Sequence, residues 1–204
     1  NCNVAFLAGV VDNTSWLTQA SFGMSEGIYM VLSGGAGEYL TIDTAITNKK
    51  SVGLANYSAK LLLGDWHYFQ DVENNQIRLV SPQAAVASVL VTTSPAESSL
   101  NKQIYGIIGT QATYNNKIYS DAEVEKLVSN GLDVVTNPSP GGDYFSCRIG
   151  HNSSYDQMIW GDNYTRMTNY LAYTFNSGMG QFIGKTITAE LWEKAASTLS
   201  SFLQ

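Results

Sequence analysis

The chain predicts an α/β fold in which a mixed β-sheet is flanked by α-helices, and three stretches carry the prediction. Residues 120–135 (Ser-Asp-Ala-Glu-Val-Glu-Lys-Leu-Val-Ser-Asn-Gly-Leu-Asp-Val-Val) read as helix, stop, strand. Ser120 and Glu123 have the spacing of a reciprocal capping box, and Val124, Leu127 and Val128 line one helical face. Gly131 suits the left-handed position that ends a helix, and Leu132, Val134 and Val135 follow as a short apolar run. Residues 4–11 and 28–32 are apolar on both faces, as strands covered on both sides are. Residues 163–180 carry Met167, Tyr170, Leu171, Thr174 and Phe175 at helical spacing.

The remaining elements follow in order. Trp16, Leu17 and Ala20 have helical spacing, which Gly23 and Gly27 are expected to break. Residues 34–37 (Gly-Gly-Ala-Gly) must be a loop, and residues 38–49 favour a helix through Leu40, Ala45 and the terminal lysines. Residues 57–69 read as an aromatic strand, and residues 73–76 as a polar turn into a second strand at 77–80, giving an antiparallel hairpin. Ser81 is placed to cap a helix of small residues whose first position is Pro82, where no N–H is needed. Residues 94–119 are irregular around a strand candidate at 104–108, and residues 144–149 form a strand after the loop 137–142. Thr188 caps a last helix that turns Leu191, Trp192, Ala195, Leu199 and Phe202 inward. No repeat, low-complexity tract or linker divides the chain, so residues 1–204 read as one domain.

With 204 residues, 44% of them apolar and 11% aromatic, the chain can build a substantial core. The net charge of −6 and the lack of a basic cluster remove the footprint of a nucleic-acid binder and disfavour anionic membranes. Only 14% of residues are charged, against about 25% in ordinary soluble domains, so the surface is built from Ser, Thr, Asn, Gln and Tyr or is covered by partners. Cys2 and Cys147 stand far apart without a CxxC or Cys/His grouping, so no metal site is expected; they read as buried free thiols, with a disulfide as the alternative. There is no signal-peptide pattern, and no apolar run approaches the roughly 20 residues that span a bilayer. Asn1 stands directly before a strand-like run with no initiator Met, so the first residue reads as a cut inside a longer protein.

Candidate sites are few. Residues 23–27 (Gly-Met-Ser-Glu-Gly) match the pattern of a nucleophile elbow around Ser25, with His151 and Asp133 or Asp143 as possible partners. An elbow needs a strand before the serine and a helix after it; here helical spacing precedes and a strand follows. His67 reads as a strand residue with a hydrogen-bonded ring. The glycines at 34–37 lack the Lys-Ser or Lys-Thr of a phosphate loop, and the nearest lysines are Lys49 and Lys50. Asp12, Asp43, Asp65 and Asp71 show no metal-loop or paired-carboxylate spacing and read as solvated. Trp66, Tyr68 and Phe69 could form a sugar-binding platform, and Asn13, Asn56, Asn152 and Asn163 begin glycosylation sequons. No catalytic residue, cofactor or metal ligand is assigned.

The order of these elements resembles the core of contractile phage tail sheath proteins. Residues 56–66 (Asn-Tyr-Ser-Ala-Lys-Leu-Leu-Leu-Gly-Asp-Trp) are similar to a sheath strand that ends in Tyr-Tyr-Pro-Trp, without its proline. Residues 79–89 (Leu-Val-Ser-Pro-Gln-Ala-Ala-Val-Ala-Ser-Val) resemble the helix entry Val-Pro-Pro-Ser-Gly-x-Val-Ala-Gly. The Asn-Gly-Leu-Asp-Val-Val step at 130–135 matches the sheath's Gly-Ile-Asn-Val-Ile, whereas residues 141–154 lack the Arg-Thr of Val-Trp-Gly-Ala-Arg-Thr-Leu. Residues 164–171 and 191–203 resemble the helices that follow. The departures suggest a divergent sheath, of a giant phage. The resemblance implies a subtilisin-like core without terminal arms and a non-enzymatic virion protein assembled in the host cytoplasm. It further implies self-association of the full-length protein into hexameric rings around a tail tube, with tube and baseplate proteins as partners and no membrane insertion. Contraction then drives the tube through the host envelope. The rival readings are a secreted serine hydrolase using Ser25 and a carbohydrate-binding module.

Overall fold

The computed structural model describes residues 3–203. They divide into two compact units, with the boundary between residues 167 and 168. In chain order the first unit contains β1 (Val4–Ala5), α1 (Asn13–Glu26), β2 (Tyr29–Ser33), α2 (Ile42–Val52), β3 (Ala59–Leu62), β4 (His67–Asp71) and β5 (Gln76–Val80). It continues with α3 (Pro82–Thr92), β6 (Ile107–Thr110), α4 (Gln111–Tyr114), α5 (Asp121–Ser129), β7 (Val135–Thr136), β8 (Ser146–Cys147) and the start of α6 (Asp162–Met179). The second unit holds the rest of α6, a 3-10 turn (Gly180–Phe182) and α7 (Ala189–Leu203).

The central sheet runs β1-β2-β3, all parallel, with Met30 opposite Ala59 and Ser33 opposite Leu62. A parallel bridge from Leu62 to Asp133 continues it, through Asp133 N–H to Leu61 O (2.9 Å) and Leu63 N–H to Asp133 O (2.8 Å). Beyond that, β7 pairs antiparallel with β8, so the extended sheet is mixed, as expected. Alternation along the strands sorts side chains to two faces. Met30, Leu32, Ala59, Leu61, Leu132 and Val134 meet α1, α2 and α5 through Trp16, Ala20, Ile42, Ile46 and Leu127. Tyr29, Val31, Leu62 and Val135 meet α3 through Val86, Ala87, Val89 and Leu90 on the other. A three-layer α/β/α arrangement results, with β5-β4-β6 as a separate antiparallel sheet.

The capping box at Ser120 is present in both directions. Its hydroxyl accepts from Glu123 N–H (3.3 Å), and the Glu123 carboxylate accepts from Ser120 N–H (2.9 Å). Gly131 takes the predicted left-handed conformation (φ +63°), and the hairpin at 67–80 pairs as expected. Other expectations need correction. The first strand is only Val4–Ala5, because the chain turns at Leu7 to Val10. Gly23 does not end α1: the helix runs on to a left-handed Gly27, and a Cβ at position 23 would lie 2.6 Å from the carbonyl oxygen of Ile28. The glycine is there for the close approach of the returning strand. Residues 57–69 are two strands, broken where Gly64 backs onto the Gly35 carbonyl. Ser81 precedes α3, but its hydroxyl donates to the Gln83 side chain (3.0 Å) instead of capping the helix. Within the second unit Thr188 does accept from Leu191 N–H (3.2 Å) and Phe202 meets Phe175 edge-on, yet Trp192 is 66% exposed, not turned inward.

Candidate functional site

Charge is concentrated in the interior, on the α3 face of the sheet. Lys60 sits in the middle of β3, flanked by buried Ala59 and Leu61, and its side chain is fully enclosed. Its ammonium has three donors and three acceptors within reach: Asp133 Oδ2 at 2.5 Å, His151 O at 3.1 Å and Asp162 Oδ2 at 3.3 Å. Burial works against the charge, but Asp133 and then Asp162 outweigh it and hold the pKa well above the ordinary lysine value. Asp133 accepts backbone N–H bonds from Val134 (2.7 Å) and Ile149 (3.0 Å) on Oδ1 and from Gly150 (2.9 Å) on Oδ2. Asp162, at the first residue of α6, takes the Ser99 backbone N–H (3.3 Å) and the Ser99 hydroxyl. Three chain segments thus meet on one lysine, and a fourth, at Ser99, joins through Asp162.

One turn further along α6, Arg166 closes the end of α3. Its guanidinium donates to Leu90 O (2.5 Å) and Thr93 O (2.7 Å), carbonyls that the C-terminus of α3 leaves unpaired, and to Glu97 O (3.0 Å) in the loop that follows. Lys49 does the same for α5 on the opposite face. It is fully buried, donates to Asn130 O (2.5 Å) and Ser153 O (2.9 Å), and lies 4.1 Å from the centre of the Tyr155 ring. Burial, and then Lys50, lower its pKa to about 7.

The residues singled out in the sequence fare differently. Ser25 is exposed in the last turn of α1 and donates to Phe22 O (3.0 Å); a helix precedes it and β2 follows, the reverse of a nucleophile elbow. His151 and Asp133 do come together, through Lys60, but on the face of the sheet opposite α1; the His151 ring stacks on Trp160 at 4.8 Å. Asp143 is exposed in the 137–145 loop. His67 lies in β4 as expected, but its ring is not hydrogen-bonded: both nitrogens are buried without a protein partner, and burial lowers its pKa to about 3, so it is neutral. Asp65 is not solvated; it is buried and accepts from Ala112 N–H and the Tyr119 hydroxyl, both at 2.9 Å. Asp12 caps α1 through Ser15 N–H (3.1 Å), and Asp71 binds Arg78 (3.0 Å). At the glycine loop the space beside Gly34 is filled by the Glu38 carboxylate, which accepts from Gly64 N–H (3.1 Å). Trp66 donates to Gly34 O (3.3 Å) and Tyr68 tilts onto Tyr114 at 4.2 Å, so the three aromatics form no shared flat face. Asn152 is buried with its amide on Ile159 O (2.6 Å). Cys147 is a buried free thiol; Cys2 lies outside the described residues.

Lys60, Asp162, Ser99, Arg166 and Lys49 went unnoticed in the sequence. A signal existed for the first: a single lysine inside the apolar run 59–63 can be buried only with polar partners or a counter-charge to meet it. Lys60, Asp133 and Asp162 are all sealed from solvent. A partly open hollow of about 70 Å³ near the start of α5, lined by Thr113, Lys117, Asp121, Asn137 and Arg148 among others, does not include them. Among the described residues no group of three His, Cys, Asp or Glu is placed to share a metal, and no helix is long and apolar enough to cross a membrane.

No family model matches the chain, and no curated protein matches it. Solved structures do. The sheath complex of the PVC extracellular contractile injection system in its contracted state superposes with a TM-score of 0.79 at 16% identity, over 100% of this chain and 54% of that one. The helical sheath of the anti-feeding prophage, also contracted, gives 0.68 at 8% identity over 96% and 52%. A sheath tail protein of Listeria innocua gives 0.67 at 12% identity over 98% and 44%. The chain thus spans about half the length of the structures it matches. At these identities the likeness is one of fold, and the fold of this chain is that of contractile sheath proteins.

Proposed function

We propose that the chain is the core of a contractile sheath subunit, a structural protein that self-associates around a tail tube and takes no part in chemical catalysis. The observation that carries this is the superposition along its whole length on a sheath protein caught in the contracted state. The interior fits such a role. Lys60, Arg166 and Lys49 each bind groups from separate segments, which resists internal shear and lets the unit move as a rigid body. Work would come from the difference in packing between two lattices, for which no bound cofactor is needed. Hexameric rings, a tube and baseplate as neighbours, and a virion as the final location belong to the same proposal.

Electron microscopy of the full-length gene product tests it. Hollow tubes or stacked rings of regular repeat are expected; a protein that stays monomeric at high concentration, alone and with the tube protein encoded beside it, would sink the reading. Neither rival has an observation in its favour: Ser25 lacks the elbow and Trp66 is tied to the loop at Gly34.

A further inference from the structure

The geometry points to an intramolecular isopeptide bond between Lys60 Nζ and Asp133 Cγ, formed by condensation inside the folded core. The two side chains face each other from adjacent rungs of the central sheet, both wholly enclosed, with Nζ 2.5 Å from Asp133 Oδ2. This proximity turns the coupling of an amine and a carboxyl group into a unimolecular step. The pair lies on the face of the sheet that also carries the apolar cluster of Tyr29, Leu62, Val135 and Cys147, with Asp162 and the His151 carbonyl as its polar neighbours. An ion pair there carries a desolvation cost that an amide does not, and loss of both charges leaves Asp162 held by the Ser99 donors in place of its cation.

The surrounding groups are those the reaction requires. Asp133 Oδ1 accepts two backbone N–H groups, from Val134 at 2.7 Å and Ile149 at 3.0 Å, an arrangement that would hold negative charge on that oxygen in a tetrahedral intermediate. Oδ2, the oxygen nearest the amine, is the one that leaves. The two carboxylates favour the charged pair, so the reaction starts from its less populated neutral form, reached when the Lys60 ammonium gives a proton to Oδ2 along their shared contact and leaves a neutral amine and a carboxylic acid. The amine lone pair then forms the N–C bond at Cγ. Asp162, whose Oδ2 is 3.3 Å from Nζ, takes the excess proton from nitrogen and returns it to the departing hydroxyl. The Cγ–Oδ2 bond breaks and water leaves. One C–N bond is made, one C–O bond is lost, one water is released, and Asp162 ends as it began; no oxidant or co-reactant is involved. The product keeps most of these contacts, the Gly150 N–H on Oδ2 being the donor that is released. Its carbonyl oxygen keeps the Val134 and Ile149 donors, and its remaining N–H has His151 O (3.1 Å from Nζ) as an acceptor. Asp162 keeps the Ser99 N–H and hydroxyl.

Intact-mass spectrometry of the purified, denatured chain tests the proposal directly. The expected mass is below that required by the sequence by one water, about 18 Da. A protease digest should contain one branched peptide joining the segment of Lys60 to that of Asp133, with no tryptic cleavage after Lys60. Lys60→Arg and Asp133→Ala should return the full sequence mass for their own compositions, and Asp162→Asn should leave the bond unformed or slow its appearance after refolding. A parent protein at its full sequence mass overturns the proposal, whatever the variants do. So does a water-sized deficit that maps to another pair of residues or that hydroxylamine removes, as it would a succinimide. An undiminished rate in Asp162→Asn would overturn the relay assigned to that residue.

Discussion

Replacing Arg166 with methionine should destabilise the first unit by about 3 kcal/mol. Its guanidinium reaches Leu90 O, Thr93 O and Glu97 O at 2.5 to 3.0 Å, and the arginine as a whole is buried. Methionine fills most of the volume but donates nothing. Leu90 is itself buried, so its carbonyl loses its donor where water does not easily follow; an unpaired buried acceptor costs roughly 1–3 kcal/mol. The cation also opposes the negative end of α3, adding about 0.3–1 kcal/mol. Glu97, at the surface, can turn to solvent at little cost. For a chain of this length each kcal/mol moves the melting midpoint by about 2–4 °C, so a drop of roughly 6–12 °C is expected by circular dichroism or calorimetry at fixed pH and salt. Arg166→Lys should recover less than half of it, because an ammonium cannot fork across several carbonyls. A methionine variant that melts within about 2 °C of the parent would show that water serves these carbonyls and that the clamp contributes nothing.

Ser120→Ala removes one arm of the capping box and should cost about 1 kcal/mol, read as a lower denaturant midpoint; equal midpoints would show that α5 does not depend on this cap. Lys49 should give the protein a pH dependence. Its pKa is about 7 folded and about 10.4 unfolded, so between these values the unfolded chain binds a proton that the folded one has released, and stability rises with pH. From about pH 7 to about pH 9 the gain should be roughly 2 kcal/mol in the parent and absent from Lys49→Met; parallel curves for the two proteins would refute the assignment. Ser25→Ala should leave stability within about 0.5 kcal/mol, and Ser25 should not be labelled by a fluorophosphonate probe; labelling would reopen the hydrolase reading.

Local grammar was legible where neighbouring residues decide the outcome. The capping box at Ser120 and Glu123, the left-handed Gly131, the polar hairpin turn and the reversed context of Ser25 all depend on a few adjacent positions, and all are found. What depends on distant segments was not legible. Gly23 looks like a helix breaker until Ile28 is known to fold back against it. Asp65 looks like a loop charge until Ala112 and Tyr119 arrive from 47 and 54 residues away. The buried centre is the extreme case, since Lys60, Asp133 and Asp162 become neighbours only when the sheet and α6 are both in place. The small turns that split residues 57–69 likewise follow from the contact between Gly64 and Gly35, not from the apolar pattern of the strand.

The central claim is a rigid core that moves between two lattices, and it is tested most directly by cryo-electron microscopy of the assembled full-length protein before and after contraction. The account predicts that residues 57–167 superpose in the two states, with the Lys60, Asp133 and Asp162 cluster and the Arg166 clamp unchanged, while contacts between subunits are exchanged. A rearrangement inside that core, with Arg166 leaving the end of α3 or β3 parting from the strand of Asp133, would contradict it.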